Sequence, residues 1–134
     1  MVPDLPLKTL DGEACTLHSL RGGESVVVDF WTTACPRCPA ALEKLNKIAA
    51  NSDRRFLAVC LGGDPGDKAA PYAALTHAYA SLDVKEEAKK HWGFRFVPFV
   101  AVINEDGVTE LSGACDAVID DLQPPPSFVL DEDF

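Results

Sequence analysis

The chain has 134 residues, enough for one domain around one core but too few for two well-buried ones. Twelve Lys and Arg stand against 21 Asp and Glu, a net charge of −9, which argues against a phosphate-binding nucleic-acid face and against attraction to an anionic membrane. Hydrophobic residues make up 47% and charged residues 25%, a globular composition rather than a disordered one.

The first residues, Met1-Val2-Pro3-Asp4-Leu5-Pro6, carry neither a basic stretch nor an apolar one. No signal peptide is visible there, and a cytoplasmic location is the expectation. Two prolines and the pairs Asp11-Gly12 and Gly22-Gly23 make residues 1–25 a loop with one short edge hairpin. Val26-Val27-Val28-Asp29-Phe30-Trp31 is β-branched and aromatic, continuous rather than alternating, and too short for a helix. Such a run predicts a strand buried on both faces.

From Pro36 to about Asn51 the period turns helical, with Leu42, Leu45, Ile48 and Ala49 on one face. Pro36 and Pro39 fall in the first turn, where a missing N–H costs little, so the helix is expected to begin at the cysteine pair. Phe56 to Leu61 predicts a second buried strand, stopped by Gly62-Gly63-Asp64-Pro65-Gly66. The Ala-rich residues 68–80 and then Val84 to Trp92 predict two helices. Phe96 to Ile103 and Val108 to Leu111 predict a hairpin around Asn104-Glu105-Asp106-Gly107. Cys115 to Leu122 predicts a short last helix. The expected domain is residues 1–122, and residues 123–134 read as a Pro-rich, then acidic, mobile tail. The order β-α-β-α-α-β-β, with a right-handed crossover between the first two buried strands, predicts an α/β fold: a mixed sheet with helices on both faces.

Five cysteines are an odd number, and two of them form Cys35-Pro36-Arg37-Cys38. In a chain with no visible secretory signal, a catalytic or metal-binding use outranks a disulfide framework. Zinc would require a second Cys or His pair, and His18, His77 and His91 are singly spaced. A thiol exchanges disulfides as the thiolate, which needs a positive surrounding. Cys35 lies where strand gives way to helix, whose N-terminus supplies N–H groups and a positive dipole end, and Arg37 adds a charge. Cys38, about one turn on, is placed to resolve a mixed disulfide. Cys35 is therefore the expected exposed nucleophile and Cys38 the more buried resolving thiol. Asp29, inside an apolar run, would have its carboxyl pushed up by burial and suits a proton acceptor for Cys38; capping nearby backbone is its plainer alternative. Pro98 inside a strand pattern marks a strand start, an edge or a special bend. A cis Val97-Pro98 bond there would offer backbone groups to an extended substrate.

Val26 through Cys38, followed by Phe96-Val97-Pro98-Phe99-Val100-Ala101-Val102-Ile103-Asn104-Glu105-Asp106-Gly107, resembles the thioredoxin superfamily. The similarity spans about residues 3–113. Pro3-Asp4, Asp11-Gly12 and Leu17-His18-Ser19-Leu20-Arg21-Gly22 are similar to the N-terminal extension of the TlpA-like and redoxin branch, and the long insertion after Cys60 is similar to tryparedoxins. The resemblance implies that Cys35 attacks, Cys38 resolves, Asp29 manages protons and Pro98 is cis. It departs from the usual pattern at Ala34, where most members have Trp, and at Pro36-Arg37 and Pro39, so the reduction potential stays open.

The resulting expectation is a single-domain thiol–disulfide oxidoreductase, with Ala34, Pro36, Arg37, Val97 and Pro98 forming the groove for an extended peptide. It would act as a monomer on a disulfide-containing protein, with an upstream reductant of the thioredoxin-reductase or small-thiol type. No metal or organic cofactor is implied. Two alternatives stand beside it. A peroxiredoxin-type peroxidase would share Thr32-Thr33-Ala34-Cys35 but has Pro where this chain has Val28, and a redox-inactive binding module is favoured by Ala34 alone. Cys60 reads as core filling, while Cys15 and Cys115 read as inert surface thiols. The net charge predicts partners with neutral or basic surfaces around their disulfides.

Overall fold

A computed structural model describes residues 1–122; the tail expected over residues 123–134 lies outside the described residues. The chain order is β1 (Pro6–Thr9), β2 (Ala14–Thr16), α1 (Leu17–Arg21), β3 (Val26–Trp31), α2 (Cys38–Ala50), β4 (Arg55–Cys60), α3 (Gly66–Ala69), a 3-10 turn (Ala70–Tyr72), β5 (Thr76–Tyr79), α4 (Leu82–Trp92), β6 (Phe99–Ile103), β7 (Thr109–Ala114) and α5 (Cys115–Leu122). The strands form one mixed sheet in the order β2-β1-β5-β4-β3-β6-β7.

Strand β3 is central because all six of its residues are apolar or neutralisable and can be enclosed, and all six are buried. It runs parallel to β4, from Val26 opposite Arg55 to Trp31 opposite Cys60, and antiparallel to β6 on its other side. Its alternate residues divide the core. Val26, Val28 and Phe30 face one layer with Leu57, Val59, Ala101 and Ile103, where Val84 and Ala88 of α4 cover them. Val27 and Trp31 face the other layer with Leu42 and Leu45 of α2 and Val118 and Ile119 of α5. Helices thus cover both faces, as the α/β reading requires. An aromatic cluster anchors the first layer: Phe30 lies 5.0 Å from Trp92 and 5.6 Å from Phe94, and Phe94 lies 4.6 Å from Phe99, centroid to centroid.

Several expectations are corrected. Residues 1–25 contain the hairpin but also α1, which opens with a reciprocal cap: Ser19 N–H donates to Thr16 Oγ1 at 3.1 Å and Thr16 N–H to Ser19 Oγ at 2.9 Å. Gly22, at φ 60°, ends it in the left-handed conformation. Helix α2 begins at Cys38 rather than at Pro36. The bond that would tie the Cys35 carbonyl into an α-turn comes from residue 39, and Pro39 has no N–H. A tighter turn forms instead, with Cys38 N–H on Cys35 O at 3.4 Å, and Ala41 N–H then donates to Arg37 O.

The helix predicted over 68–80 is replaced by α3, the 3-10 turn and β5. Pro71 interrupts the alanine run, and Thr76–Tyr79 satisfies the open edge of β4 by pairing Leu57 with Thr76 through Cys60 with Tyr79. Pairing along a free strand edge outweighs the modest helix preference of alanine. Strand β6 starts at Phe99, one residue after Pro98, which cannot donate to a ladder. Strand β7 extends beyond the predicted Leu111, to Ala114. The hairpin turn between β6 and β7 is held by Asn104 Oδ1, which accepts from Asp106 N–H at 2.9 Å and Val108 N–H at 3.0 Å.

Candidate active site

The loop from Thr32 to Arg37 leaves the C-terminal end of β3 and is tied to the loop that follows β4. Leu61 N–H donates to the Trp31 carbonyl at 2.7 Å and Thr33 N–H to the Gly62 carbonyl at 3.0 Å. Lys68 Nζ adds a third tie, to the Thr33 carbonyl at 3.1 Å. The loop delivers Cys35 to the surface half-buried, whereas Cys38, the first residue of α2, is completely buried. The two are paired at disulfide distance, with Cα atoms 5.4 Å apart.

Around the pair, Ala34, Pro36 and Arg37 are exposed, and Val97 and Pro98 are half-buried. Cys35 Sγ lies 3.6 Å from the Val97 carbonyl oxygen, which brings the second predicted segment against the first across 62 residues of chain. The Val97–Pro98 peptide is cis. The helix N-terminus supplies less to Cys35 than expected, because Pro39 has no N–H and that of Cys38 is spent on the Cys35 carbonyl. The dipole and the Arg37 guanidinium remain as positive partners.

Asp29 lies on the α2 and α5 side of the sheet, the side that holds Cys38. Its register neighbours are Ala58 on β4 and Val100 on β6, neither of which offers a side-chain donor. The carboxyl is fully buried, and neither oxygen has a hydrogen-bond partner among the described residues. Burial therefore pushes its proton affinity well above the usual carboxylate range. The capping alternative fails here, since no backbone N–H reaches it.

The remaining cysteines divide differently from the expectation. Cys60 is buried on β4, with its thiol donating to the Gly62 carbonyl at 3.2 Å. Cys15 is half-buried on edge strand β2. Cys115 is not a surface thiol: it is buried at the start of α5, and burial, followed by the nearby Asp29 and Asp116, pushes it up to about 12. Nothing in the local sequence shows that the first residue of α5 turns inward.

A cleft of about 280 Å³ opens beside the pair, lined by Pro36, Arg37, Lys44, Phe96, Pro98 and Asp116 among others. Phe96, Lys44 and Asp116 belong to no sequence motif; only the approach of three chain segments, 36–44, 96–98 and 114–116, brings them to one cleft. A larger groove, about 550 Å³, lies at the β1–β2–β5 edge beside Cys15 and contains neither member of the pair.

Comparison with known proteins agrees with this geometry. The Redoxin family matches residues 1–111. An uncharacterized protein of Haemophilus influenzae is 36% identical over 53 residues, 40% of this chain, and the match spans about a third (33%) of that relative's length. Among solved structures, a thiol:disulfide interchange protein from Bacteroides sp. superposes with a TM-score of 0.73 at 17% identity, covering 90% of this chain and 84% of that one. The thioredoxin domain of a thiol-disulfide oxidoreductase from Bacteroides vulgatus gives 0.65 at 18%, covering 91% and 95%. A secreted disulfide oxidoreductase from Mycobacterium tuberculosis gives 0.64 at 22%, covering 86% and 91%. At these identities the structural likeness speaks for the fold, and the family match spans most of the chain. The chain belongs to the Redoxin family and has a thioredoxin-like fold, with the Cys35–Cys38 pair at the end of its central strand.

Proposed function

We propose that the protein is a thiol–disulfide oxidoreductase working through Cys35 and Cys38. One observation carries the reading: two cysteines at disulfide distance, one open to solvent and one sealed in the core, at the junction of β3 and α2. In the reduced protein the Cys35 thiolate attacks one sulfur of a substrate disulfide. That bond breaks, one substrate thiolate leaves, and a mixed disulfide forms on Cys35. Cys38 then attacks Cys35 Sγ, releasing the second substrate thiol and closing the Cys35–Cys38 bond. Two electrons pass to the substrate. The ionised form of Asp29 receives the Cys38 proton through water, a role supported by the carboxyl's raised proton affinity and its place on the same side of the sheet. Val97 and Pro98, with Ala34, Pro36 and Arg37, supply the rim against which an extended segment of a disulfide-bearing protein lies. A dithiol or small-thiol reductant would restore the pair.

The test is single-turnover reduction of a protein disulfide by the fully reduced chain. Cys35→Ser should lose the reaction, and Cys38→Ser should accumulate the mixed disulfide. Undiminished reaction by Cys35→Ser would remove the nucleophile assignment, and an intact chain that reduces no disulfide would leave only a binding module. The reduction potential of the pair decides the direction of flow: about −270 mV, as in thioredoxin, makes a reductant and about −120 mV, as in DsbA, an oxidant.

A further inference from the structure

The cleft beside the cysteine pair has walls that are mostly apolar, yet it carries three charged residues: Arg37, Lys44 and Asp116. Lys44 Nζ binds Asp116 Oδ1 at 2.7 Å, so that pair is internally balanced. Arg37 is exposed and has no ion-pair partner among the described residues. On the other side of the active-site loop, Lys68 holds its ammonium against the Thr33 carbonyl at 3.1 Å, partly offset by its neighbour Asp67. Phe96 stands at the cleft 51% exposed, a large aromatic left in water next to Pro98.

This local balance opposes that of the whole molecule. With 21 acidic residues against 12 basic ones, a stretch of surface taken at random would be negative, and the cleft is positive. Screening decides which balance a docking segment feels. Charges more than about 8–10 Å away are largely screened at physiological salt, so the distant carboxylates count for little and Arg37 for much.

We infer that the cleft selects acidic disulfide segments. The preferred substrate is an extended peptide that places an apolar side chain against Phe96, beside its reacting cysteine, and a carboxylate opposite Arg37. The inference rests on the oxidoreductase reading and names its substrate class. It replaces the preference for neutral or basic partners that the net charge suggested.

The experiment uses the full chain, fully reduced, and three disulfide-linked peptides that share a Leu before the cysteine and carry Glu, Ser or Lys after it. Each reaction consumes one protein dithiol and one peptide disulfide and yields the protein disulfide and two peptide thiols, so no further reductant is needed. One charge at contact range in water, screened at physiological salt, changes the rate about threefold in either direction, so Glu should exceed Lys about tenfold at that salt. That ratio should fall toward one in Arg37→Gln and in high salt. Because Arg37 also lies between the cysteines, the Glu-to-Lys ratio, rather than the absolute rate, is the readout. Phe96→Ala should raise KM more for the Leu peptides than for a Gly-bearing peptide. An equal Glu-to-Lys ratio in native chain and Arg37→Gln, or faster reaction with Lys, overturns the inference while the oxidoreductase reading stands. Failure to reduce any of the three, the Ser peptide included, overturns both.

Discussion

Gly63 packs directly on Thr33. A Cβ added at position 63 would come within 2.9 Å of Thr33 Cβ, and Gly63 holds φ at 89°, a conformation that residues with a side chain rarely adopt. The loop after β4 thereby acts as a template for the loop that presents Cys35. Gly63→Ala should destabilise the fold by about 1–3 kcal/mol, from combined overpacking and backbone strain. It should also slow disulfide reduction by the surviving folded protein. Thermal melts and single-turnover rates check this; an unchanged rate would show that the two loops act independently.

Asp29 should make stability depend on pH in an unusual direction. Its carboxyl titrates well above the ordinary range in the folded chain and near 3.9 in the unfolded one, so the native state holds a proton that the unfolded state has released. The native state then binds more protons, and this contribution to stability falls as pH rises from about 4 through the folded value. Asp29→Asn should therefore stabilise the protein at neutral pH by about 1–3 kcal/mol and give no gain near pH 3. The same variant should prolong the mixed disulfide at neutral pH, because Cys38 loses its proton acceptor. Melting curves at both pH values, with trapping of the mixed disulfide, test the two effects separately.

Thiol accessibility should separate the three cysteines outside the pair. In the oxidised protein, iodoacetamide at neutral pH should label Cys15, half-buried on the edge strand. Cys60 and Cys115 should stay unlabelled until the chain is unfolded, since both are buried, and burial holds Cys115 at about 12. Peptide mass mapping before and after denaturant reads this directly. Labelling of native Cys115 would mean that the start of α5 opens in solution.

The aromatic cluster should carry a large share of the stability. Phe30 is fully buried and touches Trp92 and Phe94 at 5.0 and 5.6 Å. Phe30→Ala should cost about 3–5 kcal/mol, measured by denaturant unfolding. Leu82→Ala, at a position 70% exposed, should change stability by less than about 0.5 kcal/mol and serves as the contrast.

Much of the fold and site could be read locally. The apolar runs at Val26–Trp31 and Phe56–Leu61, the Asn104–Gly107 turn and the Cys35–Cys38 spacing each carry their signal in a few adjacent residues. The Thr16–Ser19 cap of α1 was equally local, although its short span hid it among loop signals. Burial of Asp29 followed from its apolar neighbours, because a six-residue run with one carboxylate cannot enclose five side chains and leave the sixth in water.

The rest depended on partners distant in the chain. Residues 76–79 become a strand because the edge of β4 offers unpaired backbone groups, and an alanine-rich segment has too little intrinsic preference to resist. Cys115 turns inward because β7 sets the direction in which α5 starts. The cleft gathers Arg37, Lys44, Phe96 and Asp116 from segments up to 79 residues apart, and its positive charge runs against the chain's net −9. Composition counts charges without placing them. By itself the sequence determined which residues could do thiol chemistry; only the folded arrangement decided what surrounds them, because burial, strand pairing and local field depend on neighbours in space.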